Sequence, residues 1–133
     1  MKNEYIAGDL VKFATNTYTI VNFEENFLHN KICYALISTN STKTAFVADR
    51  DILPIPLTEE ILEKNGWKKK MYCDWCHYFP IEGNILYLSK GIGIDGAFSV
   101  DVGQDMSHIA SISFVHQLQH LFFGLGLKSE MEV

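Results

Sequence analysis

The chain has little that would cross-link it, anchor it in a membrane or export it. Its 133 residues include three cysteines and three prolines. An odd cysteine count without an export signal predicts reduced thiols, because disulfides belong to oxidising compartments. The N-terminal residues contain no apolar core of secretory length. No other apolar segment approaches the roughly 20 uninterrupted residues of a membrane helix. We therefore expect a cytoplasmic protein that makes no membrane contact.

Positive charge is also scarce. Sixteen acidic residues outnumber eleven basic ones, which gives a formal net charge of -5 and an isoelectric point near 5.4. A protein of this charge is repelled by phosphate backbones and anionic lipid surfaces unless a local basic patch overcomes the repulsion. The candidate patch consists of Lys64, Lys68, Lys69 and Lys70.

The first fifty residues contain short segments rich in β-branched and aromatic residues, separated by turn-forming groups. This pattern predicts strands at 9–13, 18–23, 32–37 and 44–47. Strands of this length and spacing predict a first lobe over residues 1–53 that is an SH3-like small β-barrel or a meander. The opening Gly8-Asp9-Leu10-Val11 resembles the first strand of SH3-like barrels.

Two prolines mark the boundary after that lobe. Pro54 and Pro56 require extended backbone around them, because each disfavours helix at the residue before it. A helix near 58–65 follows, with Thr58 as N-cap and Gly66 at its end.

The remaining chain predicts four strands and a closing helix. The strands span 70–79, 84–88, 97–102 and 109–114, and their short connections favour antiparallel pairing. The helix, near 115–125, has a predicted buried stripe of Val115, Leu118, Leu121, Phe122 and Leu125. The fold class is therefore α+β: the second lobe, 54–133, is an antiparallel sheet carrying both short helices, and the two lobes share one core.

Two segments carry a resemblance to a known group. Residues 55–67 read IPLTEEILEKNGW and residues 114–122 read FVHQLQHLF. The chain resembles small uncharacterised proteins of phages, prophages and mobile elements of Bacteroides-type bacteria, which read IPLTEEILEKNGF and VHQLQNLYFAL at these places. No activity is attached to that group. The resemblance implies a non-enzymatic accessory protein that binds another macromolecule, with a protein as the favoured partner.

Cysteine and histidine residues offer one metal hypothesis. Cys73 and Cys76 have the spacing of a zinc knuckle, and His116 and His120 lie one helical turn apart. The favoured interpretation is nevertheless ordinary buried or half-buried cysteines without metal, because strand alternation directs the two thiols to opposite faces. The same argument disfavours covalent haem at Cys73-Asp74-Trp75-Cys76-His77. We expect no cofactor.

A glycine-rich segment offers a nucleotide hypothesis. Residues 91–96 satisfy G-x-G-x-x-G, but a strand follows them where a dinucleotide site needs a helix. Asp95-Gly96 is more simply a hairpin turn.

An interaction surface is predicted from two groups. His116, His120 and Phe123 share the helix face that the apolar stripe leaves open, and Lys68, Lys69 and Lys70 supply positive charge. The alternative function is a nucleic-acid-binding module that uses the barrel surface and the lysine cluster, Lys64, Lys68, Lys69 and Lys70. A third hypothesis, an enzyme or zinc protein that uses the Cys and His residues, lacks an orienting group for a nucleophile. The sequence therefore favours a protein that is not an enzyme.

Overall fold

The structure, a computed structural model, describes residues 5–26, 31–38, 44–71, 76–90, 97–105 and 107–133. Two five-stranded antiparallel sheets and two short helices confirm the α+β class. The strands are β1 (Leu10–Phe13), β2 (Asn16–Asn26), β3 (Lys31–Ser38), β4 (Thr44–Ala48), β5 (Ile52–Pro54), β6 (Lys68–Lys69), β7 (Cys76–Ile81), β8 (Asn84–Lys90), β9 (Phe98–Val102) and β10 (Ser107–Ile112). The helices are α1 (Glu59–Lys64) and α2 (Val115–Gly124), and a 3-10 turn spans Asp49–Asp51.

The first sheet has the strand order β4-β3-β2-β1-β5. Strands β1 to β4 form a meander, and β5 returns to pair with β1 on the side away from β2. A two-residue turn joins β1 to β2, and Ala14 occupies the left-handed region there, with φ of 54°. Within the described ranges, β4 pairs only with β3 and β5 only with β1, so this sheet does not close into a barrel.

One apolar cluster fills the core of the first sheet. It consists of buried residues from every strand of that sheet and from the segment before β1: Tyr5, Val11, Ile20, Tyr34, Leu36, Val47 and Ile52. The alternation of strand side chains places these residues on one face. The predicted strands of the first lobe are thus present, with β2 longer than its sequence prediction of 18–23.

The chain divides into two compact units. The first comprises Met1–Ile55 and Phe114–Glu130, and the second comprises Pro56–Ser113 and Met131–Val133. The second unit begins at Pro56. Helix α2 groups with the first unit, whereas the sequence analysis placed it in the lobe 54–133. The reason is that polar and aromatic residues of α2 contact the segment before β1.

Helix α1 has the local signals that the sequence predicted. The Thr58 hydroxyl accepts a hydrogen bond from the Ile61 N–H at 3.2 Å. At the other end Gly66, with φ of 91°, lets the Trp67 N–H donate to the Leu62 carbonyl at 3.0 Å. This arrangement is a Schellman motif. Leu62 and Trp67 are both buried, so the short helix is held by packing as well as by its caps.

The second sheet is a continuous meander of order β10-β9-β8-β7-β6. Its core is formed by alternating buried residues of three neighbouring strands: His77, Leu86, Leu88, Phe98 and Val100. Residues 72–75 of the predicted strand 70–79 lie outside the described part of the chain. The predicted hairpin turn at Asp95-Gly96 lies outside it as well.

Helix α2 buries Val115, Leu118 and Phe122, as the predicted stripe required. Leu125 departs from that stripe, because the helix ends at Gly124 and the side chain of Leu125 is 44% exposed. Beyond the last helical residue the 3.6-residue period no longer determines which way a side chain points.

Candidate functional site

A buried glutamine fixes α2 within the first unit. Gln119 is 2% exposed, and its Oε1 accepts a hydrogen bond from the Leu10 N–H at 2.9 Å. Its Nε2 donates to the carbonyl of Gly8 and to the carbonyl of Ser129, each at 3.0 Å. One amide group therefore joins the segment before β1, the helix and the segment after it. Such a fully bonded buried amide fixes the position of the helix, because leaving its partners unpaired is costly.

Gln119 was not predicted from the sequence as a site residue. It lies four residues after Val115 and three before Phe122, so helical spacing places it on the buried face. A polar residue at an apolar-stripe position was the signal that could have found it.

Beside the glutamine lies a carboxylate–imidazole pair. His120 Nε2 is 2.7 Å from Asp9 Oδ2, and the same oxygen accepts the Ile6 N–H at 2.9 Å. The Asp9 side chain is 2% exposed and that of His120 is 34% exposed. Burial raises the pKa of the Asp9 carboxyl above its usual value, while the Ile6 and His120 hydrogen bonds act to lower it. The buried carboxylate therefore holds the His120 ring in a fixed orientation.

His116 does not lie where the sequence analysis placed it. It was predicted on an exposed face with His120 and Phe123, and it is 4% exposed. Its ring contacts Tyr5 edge-on, with centroids 4.9 Å apart, and stacks on Phe114 at 5.9 Å. An imidazole is planar and largely apolar when neutral, so it packs among aromatic rings. Burial, with a smaller effect of the charge on His120, lowers the pKa of His116 to about 4.

Phe123, unlike His116, lies on the surface of the protein. Phe123 is 69% exposed and is the penultimate residue of α2, and Leu125 follows it at 44% exposure. The two apolar side chains therefore reach solvent from the end of a helix whose opposite face is fixed by buried contacts. We call Phe123 and Leu125 the helix-end surface.

The predicted lysine surface lies in the second unit. Lys68 and Lys69 form β6 and are exposed, and Lys70 Nζ lies 5.2 Å from the centroid of the Tyr87 ring. The cation–π contact holds one positive charge over an aromatic face. All three lysines lie in the second unit, whereas His116, His120 and Phe123 lie in the first.

The structure gives the surroundings of Cys76, one of the two cysteines of the candidate zinc set. Cys73 lies outside the described residues, and Cys76 is 2% exposed in the second unit. The Cys76 sulfur accepts a hydrogen bond from Ser89 Oγ at 3.5 Å. In the described ranges no group of three or more His, Cys, Asp or Glu side chains is placed to hold a metal ion. The expectation that Cys73, Cys76, His116 and His120 hold no zinc stays a prediction.

A serine, a histidine and an aspartate meet on strands β9 and β10. Ser99 Oγ lies 2.8 Å from His108 Nδ1 and 3.2 Å from Asp101 Oδ1, and His108 Nδ1 lies 3.3 Å from the same carboxylate oxygen. A catalytic triad requires the serine and the carboxylate on different ring nitrogens. Here both partners face Nδ1, so the trio cannot pass a proton from serine through the ring.

No helix within the described part of the chain is long and apolar enough to cross a bilayer. No protein-family model matches the chain, and neither does any curated protein or solved structure. The resemblance to phage and mobile-element proteins therefore stays a prediction.

Proposed function

We propose that the protein is a non-enzymatic accessory protein of a phage or mobile element, and that it works by binding another protein. The phage assignment is supported by the resemblance of residues 55–67 and 114–122. The observation that carries the binding assignment is the helix-end surface, where Phe123 is 69% exposed. Burying an aromatic side chain of this kind stabilises a complex by about 1.5–3 kcal/mol.

The rest of α2 favours a docking role for its end. Leu118 and Gln119 hold the helix from its buried face, so Phe123 is presented from backbone that is already ordered. A partner then loses little conformational freedom of this chain on binding, which is the general advantage of a preorganised surface. Aromatic residues are also the commonest energetic anchors of protein interfaces.

For the first unit we propose the SH3-like arrangement in an open form. Its support is the return of β5 to β1 after the four-strand meander, with a 3-10 turn at Asp49–Asp51 between β4 and β5.

The test is a capture experiment with matched variants. Immobilised wild-type protein, Phe123→Asp and Met71→Asp are each incubated with lysate of the host bacterium, with and without phage induction. Met71 is the control, because it is an apolar residue 77% exposed in the second unit. We expect the same protein on the wild type and on Met71→Asp, and its loss on Phe123→Asp. Equal capture by all three proteins would contradict the assignment of the helix-end surface.

A second candidate function is nucleic-acid binding through Lys68, Lys69 and Lys70. The specific observation is the lysine–aromatic contact of Lys70 with Tyr87, since basic and aromatic groups together suit backbone contact and base stacking. The net charge of -5 counts against it. We expect no measurable affinity for a mixed oligonucleotide pool at physiological salt. Tight, salt-sensitive binding that Lys68→Glu with Lys69→Glu abolishes would make this the better account.

A further inference from the structure

The edge strands of the two sheets differ in how they are protected against pairing with other chains. Unpaired edges attract further strands, and proteins block them with charge, proline, bulges or short length. In the described ranges each sheet has two edges, namely β4 and β5 in the first and β6 and β10 in the second. Three of the four carry such a device.

The three protected edges use different means. Strand β5 has three residues and ends at Pro54, which has no N–H to donate. Strand β6 consists of two exposed lysines. Strand β10 carries a β-bulge between His108 and Ala110, and a bulge twists an edge away from a flat pairing geometry.

Strand β4 has none of these devices. Its five residues, Thr44-Ala45-Phe46-Val47-Ala48, include no charge, no proline and no glycine. The residues from Thr44 to Ala48 pair one by one with consecutive residues of β3, without a bulge. Phe46, at the centre of the strand, is 68% exposed. The residue paired with it on β3, Ala35, is buried. A regular, uncharged edge with an exposed aromatic residue at its centre is suited to strand addition.

We propose that β4 pairs antiparallel with β4 of a second copy of this chain, so that two first sheets join into one ten-stranded sheet. The proposal does not depend on the helix-end surface. A second copy fits because the strand complements itself: it has no charge, so two copies meet there without like-charge repulsion even though each chain carries -5. A two-fold axis at Phe46 defines the register.

That register places side chains of the same face opposite each other. Phe46 lies opposite Phe46 of the second copy, Thr44 opposite Ala48, and Ala45 opposite Val47. The Phe46 pair is an aromatic cross-strand contact, which stabilises antiparallel pairing. Ala45 and Val47 lie on the core face, where Val47 is 6% exposed and Ala45 packs against the apolar cluster. The core face of each sheet therefore continues across the new pair without a polar interruption.

Sedimentation velocity tests the association. Because a single five-residue pair is a small interface, we expect wild-type mass to rise with concentration from 15.1 kDa toward twice that value. Phe46→Lys places two positive charges opposite each other and should weaken the dimer by about tenfold or more. Leu53→Lys on β5, where the native side chain is 57% exposed, should leave it unchanged. A monomer at every concentration, or a dimer that Phe46→Lys leaves intact, would overturn the proposal.

Cross-linking tests the register. Residues directly opposite in an antiparallel pair have Cα atoms about 4.5–5.5 Å apart, which is within reach of a disulfide. With oxidised glutathione as oxidant, Phe46→Cys should form covalent dimers, whereas Leu53→Cys and wild type should not. Wild type controls for Cys33, Cys73 and Cys76. Equal dimer yields from Phe46→Cys and Leu53→Cys would show that the strand pair is not formed.

Discussion

Asp9 and His120 are 111 residues apart in the chain, and Oδ2 of one lies 2.7 Å from Nε2 of the other. The carboxylate is buried, and the imidazole is about one-third exposed. This contact and the hydrogen bonds of Gln119 link the segment before β1 to the closing helix. They explain why α2 groups with the first unit although the whole second sheet separates the two in sequence.

A double-mutant cycle should detect this link. We expect His120→Ala and Asp9→Ala each to destabilise the fold, with a coupling free energy of about 1–2 kcal/mol, because removing one partner leaves the other poorly bonded. Urea denaturation of the four proteins gives the value. The pair Asp101 and His108, 3.3 Å apart with His108 56% exposed, is the matched control and should couple by less than about 1 kcal/mol. If both cycles gave the same coupling free energy, the claim that burial of Asp9 strengthens its contact with His120 would be contradicted.

Gln119→Ala should cost about 2–4 kcal/mol, since it leaves the Leu10 N–H and two carbonyl groups without their side-chain partner. Gln117→Ala is the control. Its Oε1 accepts the Phe114 N–H at the start of α2, and loss of this capping hydrogen bond should cost about 1 kcal/mol. Chemical denaturation separates the two, and similar losses would mean that Gln119 does not anchor the helix.

Leu118 and Leu125 were predicted on the same stripe and differ in the structure. Leu118 is fully buried and Leu125 is 44% exposed. Leu118→Ala should therefore destabilise the fold by about 2–5 kcal/mol, and Leu125→Ala by about 0.5 kcal/mol or less. Thermal melts of the two variants give the comparison. Comparable shifts in melting temperature would show that α2 continues past Gly124 on its buried face.

Acid should destabilise the protein through His116. Its pKa is lowered from 6.5 to about 4 in the folded chain, so between these values the unfolded chain binds the proton and the folded chain does not. Stability from this group is present above the unfolded pKa and falls as pH drops toward 4, by about 3 kcal/mol in all.

His116→Phe isolates this effect. The ring packing with Tyr5 and Phe114 is kept, and the titrating group is removed. Asp9 has the opposite effect on the pH dependence. Burial raises the pKa of its carboxyl, so its deprotonation favours the unfolded chain. Asp9 is present in both the wild type and His116→Phe, so it contributes to both profiles. Denaturation at a series of pH values should give a flatter profile for His116→Phe between pH 6.5 and 4. Parallel profiles would contradict a neutral buried His116.

The sequence predicted the elements with local signals and missed those fixed by distant contacts. The caps of α1 at Thr58 and Gly66 depend on neighbouring residues, so both were identified correctly. Strands with clear alternation were found for the same reason. The burial of His116 was missed, because it depends on Tyr5, a residue far away in sequence, and helical spacing alone placed it beside Phe123.

The residues of the candidate site also divide into those fixed by local signals and those fixed by distant contacts. Phe123 could be predicted as exposed because it lies off the apolar stripe of its own helix. The partners of Gln119 and Asp9 could not be predicted, since nothing near either residue in the sequence specifies them. These two residues join α2 to the first unit. The sequence prediction, which had no information on their partners, assigned α2 to the lobe 54–133.

The most direct test of the central claim is an affinity measurement with the purified partner that the capture experiment identifies. The dissociation constants of wild type, Phe123→Asp and Met71→Asp are compared by calorimetry. Phe123→Asp should weaken binding by about tenfold or more, as loss of a buried aromatic anchor does, and Met71→Asp should leave it within about twofold. Unchanged affinity of Phe123→Asp, with a folded protein by circular dichroism, would contradict protein binding at the helix-end surface.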